Sequence, residues 1–363
     1  MSGHAVTIKD VARRCGVHFM TVSRALRGDA NVRDTTAVRI REAAAALGYD
    51  PQHGHAARCL VSRARGARMI HQSIGMFFPP KFVRTAYFAD MFEGIVEELA
   101  PAGYSVHIVP TYDPEHPERK LTELPPVLRR GEIDGAIVTE WPGRMADVLR
   151  QLRALPHFAD RPILSLLTEV PGCSAVLTDD YAGMYAAMAH LLDLGHRKFM
   201  HTYYAVENRY TGRERLRAIH QACIDRGLAP STHLFHYGLD WESPLNRRME
   251  RPLGEALREH PEITAVLAPN DFYAVQGARV LAQMGLRIPQ DLSLVGFDDV
   301  IPLPDATHEN ILTTVRLPLE DVGREAARRL LHLLRDPGAA PDDRLLPVTF
   351  VARGTTAWPR SRR

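Results

Sequence analysis

Thr7-Ile8-Lys9-Asp10-Val11-Ala12-Arg13-Arg14-Cys15-Gly16-Val17-His18-Phe19-Met20-Thr21-Val22-Ser23-Arg24-Ala25-Leu26 reads as two short helices joined by a tight turn. Thr7 and Asp10 have the Ser/Thr-x-x-acid spacing of a capping box, and Ile8, Val11 and Ala12 repeat behind it at helical spacing. Gly16 suits the left-handed turn that ends the first helix. Val17, Val22, Ala25 and Leu26 then give the second helix its apolar face, as far as Gly28. A third helix runs from about Asp34 through Val38, Ile40, Ala44 and Leu47 to Gly48, where Tyr49-Asp50-Pro51 closes it. Two helices over so short a turn, with a third packed on them, make a helix-turn-helix.

Outward from this head the chain changes character. Residues 52–70 are rich in Arg, His, Ala and Gly and have little hydrophobic period, so they read as a linker with one short helical stretch at 56–61. From Ser73 onward strand and helix patterns alternate: Ile74–Phe78 then Phe88–Ala100, Ser105–Val109 then Pro117–Arg130, Gly135–Thr139 then Arg144–Leu155, and so on to Leu292–Phe297. That alternation specifies parallel sheets covered by helices, and there are too many units for one comfortable sheet. Division into two lobes near Thr178 follows, with a ligand crevice outside the carboxyl ends of the strands.

Charge follows the same division. The 363-residue chain carries a formal +2, yet residues 1–68 hold 12 Lys and Arg against 5 Asp and Glu, while the remainder holds 33 against 38. A compact basic module on a mildly acidic body suits a phosphate-binding head on a regulatory domain. No stretch approaches the about 18 consecutive apolar residues of a membrane span. The N-terminal residues have no apolar secretory core, which predicts a cytoplasmic protein without a membrane partner. Cys15, Cys59, Cys173 and Cys223 are too scattered for a disulfide framework or a zinc ribbon and read as buried thiols. Neither His-Glu-x-x-His, a phosphate-binding Gly-x-x-x-x-Gly-Lys nor Gly-x-Gly-x-x-Gly opening a helix is present, so no catalytic residue, metal or cofactor is assigned and an enzyme is not the expectation. A transport binding protein would share the two-lobed body but needs a signal peptide and no DNA-binding head.

Thr7-Ile8-Lys9-Asp10-Val11-Ala12, Gly16-Val17, Thr21-Val22-Ser23-Arg24 and Leu47-Gly48-Tyr49 together resemble the head of the lactose-repressor/galactose-repressor (LacI/GalR) family. The body agrees in order and spacing: Val176 to Ala182, Leu191-Leu192-Asp193-Leu194-Gly195-His196-Arg197, Asn270-Asp271, Leu294-Val295-Gly296-Phe297-Asp298-Asp299, Leu312 to Arg316 with Pro318-Leu319, and Leu346 to Arg353. The resemblance implies an α/β fold: a three-helix head plus a two-lobed, periplasmic-binding-protein-like effector domain of two Rossmann-like parallel sheets. It implies residues 1–50 as the DNA-binding domain, 51–70 as the hinge and 71–363 as the effector and dimerisation domain. Three crossings between lobes then place about 71–178 plus 311–343 in the first lobe and 179–310 plus 344–363 in the second.

The family puts its second helix in the major groove. By that resemblance His18, Phe19, Met20 and Arg24 face base edges, Arg24 as the bidentate partner of a guanine and Phe19 and Met20 against thymine methyls or sugars. Packing inside the head is the alternative for Phe19 and Met20. Thr7, Thr21 and Ser23 suit phosphate contacts. Family members usually have serine at His18, which leaves its capping or phosphate role open. Ala57-Arg58-Cys59-Leu60 resembles the hinge helix whose leucine wedges into the minor groove, with Arg58 beside Leu60, although the segment from Pro51 is two residues longer than usual and contains Gly54.

The family's pocket positions fall on Tyr87, Phe88, Arg209, Thr211, Arg215, Trp241, Asn270 and Asp298. An Arg–Asp pair facing a flat aromatic suits a sugar ring; a structural ion pair between lobes is the alternative for Arg215 and Asp298. Arg209-x-Thr211 with Arg215 resembles the purine-binding members, Trp241 the sugar-binding ones, and Lys81 and Arg84 would admit an acidic or phosphorylated ligand. A sugar or sugar derivative is the leading expectation. The reading is therefore a small-molecule-controlled transcriptional repressor on near-palindromic operator DNA. It works as a homodimer because one head covers only a half-site; Ile95, Val96 and Leu99 read equally as one candidate interface or as core packing.

Overall fold

The computed structural model describes residues 6–26, 29, 31–47, 49, 70–78, 85–110, 125–139, 145–204, 210–239 and 250–359. The chain divides into two compact units, Met1–His71 and Gln72–Arg363.

In the first unit three helices, Ile8–Cys15, Phe19–Leu26 and Asp34–Leu47, close on Val11, Val22, Ala25, Ile40 and Ala44. Both the backbone N–H and the hydroxyl of Thr7 donate to Asp10 Oδ2, at 2.9 and 2.6 Å, so the capping spacing is used as the sequence suggests. Gly16 has φ +62°, and the turn is closed by the Val17 N–H on the Ala12 carbonyl at 3.1 Å. A side chain there would force the left-handed region that glycine alone enters freely.

The second unit is α/β. Strands β1 (Ser73–Phe78), β2 (Ser105–Pro110), β3 (Gly135–Thr139), β4 (Ile163–Leu166), β5 (Ser174–Thr178) and β11 (Arg344–Leu346) form one parallel sheet in the order β11-β5-β4-β3-β1-β2. Strands β6 (Phe199–Tyr204), β7 (Leu234–Leu239), β8 (Ala265–Leu267) and β9 (Ser293–Val295) form a second parallel sheet, ordered β7-β6-β8-β9. Their central strands read as continuous apolar runs because helices cover both faces; every residue of β1, β3, β4, β5, β8 and β9 is buried.

Helices Ala86–Leu99 and Leu319–Arg335 cover the first sheet and cross almost backbone to backbone. A methyl on Gly94 would strike the Glu320 carbonyl, and one on Gly323 the Met91 carbonyl. Around this crossing Arg324 pairs with Glu97 at 2.9 Å and Arg328 with Glu98 at 2.6 Å.

Two segments change lobe relative to the sequence reading. Thr314–Arg316, expected in the first lobe, are β10; they pair antiparallel with β12 (Thr349–Val351), and their backbone is joined to the end of the second sheet by Asp298 N–H on the Val315 carbonyl at 2.8 Å. Arg344–Leu346, expected in the second lobe, extend the first sheet beside β5. The reason is that β11 and β12 each complete an edge that the preceding strands leave open. The chain thus crosses between the lobes at 178–180, 316–319 and 346–349. No helix among the described residues is long and apolar enough to cross a membrane.

Candidate DNA interface and effector site

In the head, the start of helix Phe19–Leu26 is presented outward. Phe19 and Met20 are 39% and 46% exposed and lie outside the head's core, which Val11, Val22 and Ala25 fill, so packing is not their role. His18 precedes the helix and caps it, its Nδ1 accepting from the Met20 N–H at 3.4 Å while its ring lies 4.4 Å from that of Phe19. Arg24 is exposed one turn further along, with Asp29 at 4.0 Å as a loose tether. Thr21 and Ser23 are half-buried beside it, and Thr7 is exposed at the start of the first helix. Arg58 and Leu60 lie outside the described residues.

In the second unit the candidate effector residues gather where strands end. Arg215 sits on helix Tyr210–Asp225, which follows β6; its Nε donates to Asp180 Oδ2 at 2.6 Å and its Nη1 to the Pro269 carbonyl at 2.7 Å. Its guanidinium lies over the Phe297 ring, 3.5 Å from the centroid. Pro269 and Phe297 adjoin Asn270 and Asp298, so three separate sequence motifs meet on one side chain. Burial alone would lower the Arg215 pKa, but Asp180 and Asp298, with Tyr87, raise it. Asn270 caps helix Asp271–Gln283, its Oδ1 accepting from the Tyr273 N–H at 3.1 Å. Thr211 is half-buried one turn before Arg215. Arg209 and Trp241 lie outside the described residues, as does the basic loop with Lys81 and Arg84.

Phe88 does not belong to the site. It is 2% exposed and packed between Phe78 and Phe92, with ring centroids at 4.2 and 5.4 Å, because helical spacing turns it toward the first sheet. The neighbouring Tyr87 is half-buried and close enough to act electrostatically on Arg215.

Asp298 has φ +101° and Asp299 φ +58°, unusual for residues with a side chain, and such conformations persist only where the surroundings hold them. Here the Asp298 carbonyl accepts from the Leu317 N–H at 3.3 Å, and Asp299 receives Arg353 at 2.7 and 2.9 Å and Arg316 at 2.7 Å. Burial drives the Asp298 carboxyl well above the usual carboxylate range; Arg215 pulls it back, Asp271 and Asp180 push it further. Asp271 is raised to about 6 by burial, against hydrogen bonds from Thr314 at 2.6 Å and the Val300 N–H at 2.8 Å.

Asp180, Asp271 and Phe297 are the parts of this constellation that the sequence reading did not single out. A signal for Asp180 was present: it shares its helical face with Gly183, Met184, Ala187 and Met188, all buried, so an acid there must find a buried partner.

Residues 7–52 match the family described as bacterial regulatory proteins, lacI family, and residues 188–356 match a periplasmic binding protein-like domain. The HTH-type transcriptional repressor PurR of Mannheimia succiniciproducens is 30% identical over 302 residues, covering 81% of this chain and 82% of that one. Among solved structures, the Lac repressor dimer bound to operator and the anti-inducer ONPF superposes with a TM-score of 0.65 at 23% identity, over 98% of this chain and 100% of that one. A complex of the transcriptional regulator CelR with cellobiose gives 0.63 at 23% identity, over 96% and 99%.

Proposed function

Because the chain belongs to the lacI family of bacterial regulatory proteins and is a DNA-binding transcriptional regulator, not an enzyme, we propose that it is a cytoplasmic homodimeric repressor released from or held on its operator by a small sugar. The head within residues 1–50 reads DNA through Arg24, Phe19 and Met20, with His18 as the cap, Thr7, Thr21 and Ser23 on phosphates, and Arg58 and Leu60 acting from the hinge at 51–70. Residues 71–363 bind the effector and the second subunit.

The observation that carries the effector reading is the convergence of Asp180, Pro269 beside Asn270, and Phe297 beside Asp298 on Arg215, next to the segments that pass between the lobes. A ligand seated against Arg215, Asn270, Thr211 and Asp298 touches groups whose backbone leads directly into the crossings, so ligand energy can bias the lobe arrangement and through it the heads. A sugar is favoured because hydroxyls match a carboxyl, an amide and a guanidinium edge set beside aromatic rings. The CelR complex holds cellobiose in a body of the same fold.

The test has two stages on the full-length chain. Melting is followed in the presence of neutral sugars, sugar acids, nucleosides and purine bases; a true effector at a hundred times its dissociation constant stabilises by about 2.7 kcal/mol. Operator DNA is then selected from a random pool, and its affinity is measured with and without the hit. A sugar that stabilises the chain and shifts operator affinity is the expected outcome. A purine that does so replaces the sugar, and failure to select any DNA sequence rejects the regulator reading.

A further inference from the structure

We propose that Asp180 sets the chemical class of the effector: by already holding Arg215, it restricts the site to uncharged, hydroxyl-rich ligands and shuts out carboxylates and phosphates. The proposal rests on the effector-site reading above and goes further, since an arginine in a ligand crevice otherwise invites an anion.

Geometry is the first support. Arg215 spends its Nε on Asp180 at 2.6 Å and its Nη1 on the Pro269 carbonyl at 2.7 Å, and one face of the guanidinium is covered by Phe297. The side of the guanidinium that runs through Nε is therefore taken by Asp180, and one Nη1 hydrogen by the chain. Asp180 is equally committed: its second oxygen accepts from the Thr178 hydroxyl at 2.6 Å.

Burial makes the pair hard to open. The Asp180 side chain is 0% exposed and that of Arg215 12%. An anionic ligand that drew Arg215 to itself would strand the Asp180 carboxylate in the interior, and an orphaned buried charge costs far more than the new pair returns. A hydroxyl can share the outer edge of the guanidinium and leave the pair intact.

The surrounding charge points the same way. Asp298 lies close enough to Arg215 and to Asp271 for their charges to interact, and the other two arginines beside them, Arg316 and Arg353, are held by Asp299. Among the described residues both of these arginines are thus already committed to a carboxylate. Among the described residues the Asp298 side chain makes no hydrogen bond, although its backbone is fixed on both sides. A carboxyl left open in this way accepts from ligand hydroxyls, and the burial that favours its protonated form lets it donate one hydrogen bond as well.

The test uses inorganic phosphate as the anion, titrated into the full-length chain against sodium chloride at matched ionic strength. Wild type should melt no differently in phosphate than in salt. Asp180→Asn should gain a phosphate-dependent rise in Tm of about 2–4 °C, and Asp180→Asn combined with Arg215→Gln should lose it. Asp180→Ser is carried alongside, so that a folding failure of one variant does not end the comparison. A phosphate response in wild type that Arg215→Gln abolishes overturns the proposal, as does a folded Asp180 variant that gains nothing. The neutral-sugar titration reads independently: its failure in wild type removes the sugar reading while the phosphate comparison still decides the role of Asp180.

Discussion

His201, on β6, lies opposite His236, on β7, with their Nδ1 atoms 3.4 Å apart, and His236 Nε2 is 3.4 Å from His220 Nε2 on the covering helix. Burial holds His201 down at about 3, with His236, Arg215 and His220 adding to the effect; His236 and His220 are also lowered, by burial first. The unfolded chain therefore takes up protons near the ordinary 6.5 that the fold refuses. This contribution to stability is complete above that pH and is lost as pH falls toward 3, with a slope approaching about 1.4 kcal/mol per pH unit for one such group. Asp271, raised to about 6, works in the opposite sense, its favourable protonated form being lost as pH rises from its unfolded value through 6. The histidine effect is thus read as a difference: between pH 7 and 5 the Tm of wild type should fall more steeply than that of His201→Gln. Parallel curves would remove the explanation. At this scale the sequence yielded what local spacing encodes, such as Thr7 with Asp10, and named Arg215 and Asp298, which the fold places near each other. It did not yield the His201–His236 pairing, because the register that brings these residues together spans 35 positions of chain.

The crossing of helices Ala86–Leu99 and Leu319–Arg335 depends on two hydrogen atoms where other residues carry a carbon. Gly94→Ala or Gly323→Ala must push the helices apart, and overpacking of this kind costs about 1–3 kcal/mol. Urea unfolding should show a lower midpoint for either variant, and a double variant no worse than additive would mean that the two glycines do not act as one contact. In the head, Thr7→Ala removes the hydroxyl half of the capping box and should cost about 1 kcal/mol, seen as earlier melting with the apolar core unchanged. The contrast shows what elements reveal in advance. A cap is visible because its partners sit three residues apart, and the first of the two crossing helices is visible from its own periodicity. Their meeting is not, since nothing in either helix names the other, and only the family resemblance suggested that the segment after Asn310 is shared between lobes.

At the scale of the whole molecule the three crossings are bonded to one another. The Asp179 N–H on the Leu346 carbonyl, at 2.9 Å, joins the first to the third, and Asp299 ties Arg316 at the second to Arg353 behind the third. Ligand coupling of about 1–3 kcal/mol would alter operator affinity 5–150-fold. Asp299→Asn should keep ligand binding and shrink that ratio toward one, measured as operator affinity with and without effector; an unchanged ratio would show that the crossings move without this tie. The two-lobed plan was legible from alternating strand and helix patterns, but the assignment of Thr314–Arg316 and Arg344–Leu346 was not, because such short strands take their lobe from whichever edge is open. That assignment bears on how the protein is made. The β5 edge of the first sheet and the partner of β10 both wait for Arg344–Val351, so a nascent chain cannot complete its strand pairing on the ribosome until nearly all of it has emerged, unlike domains that fold in turn during synthesis. A premature stop anywhere ahead of Arg344 leaves β5 and β10 each without a neighbouring strand.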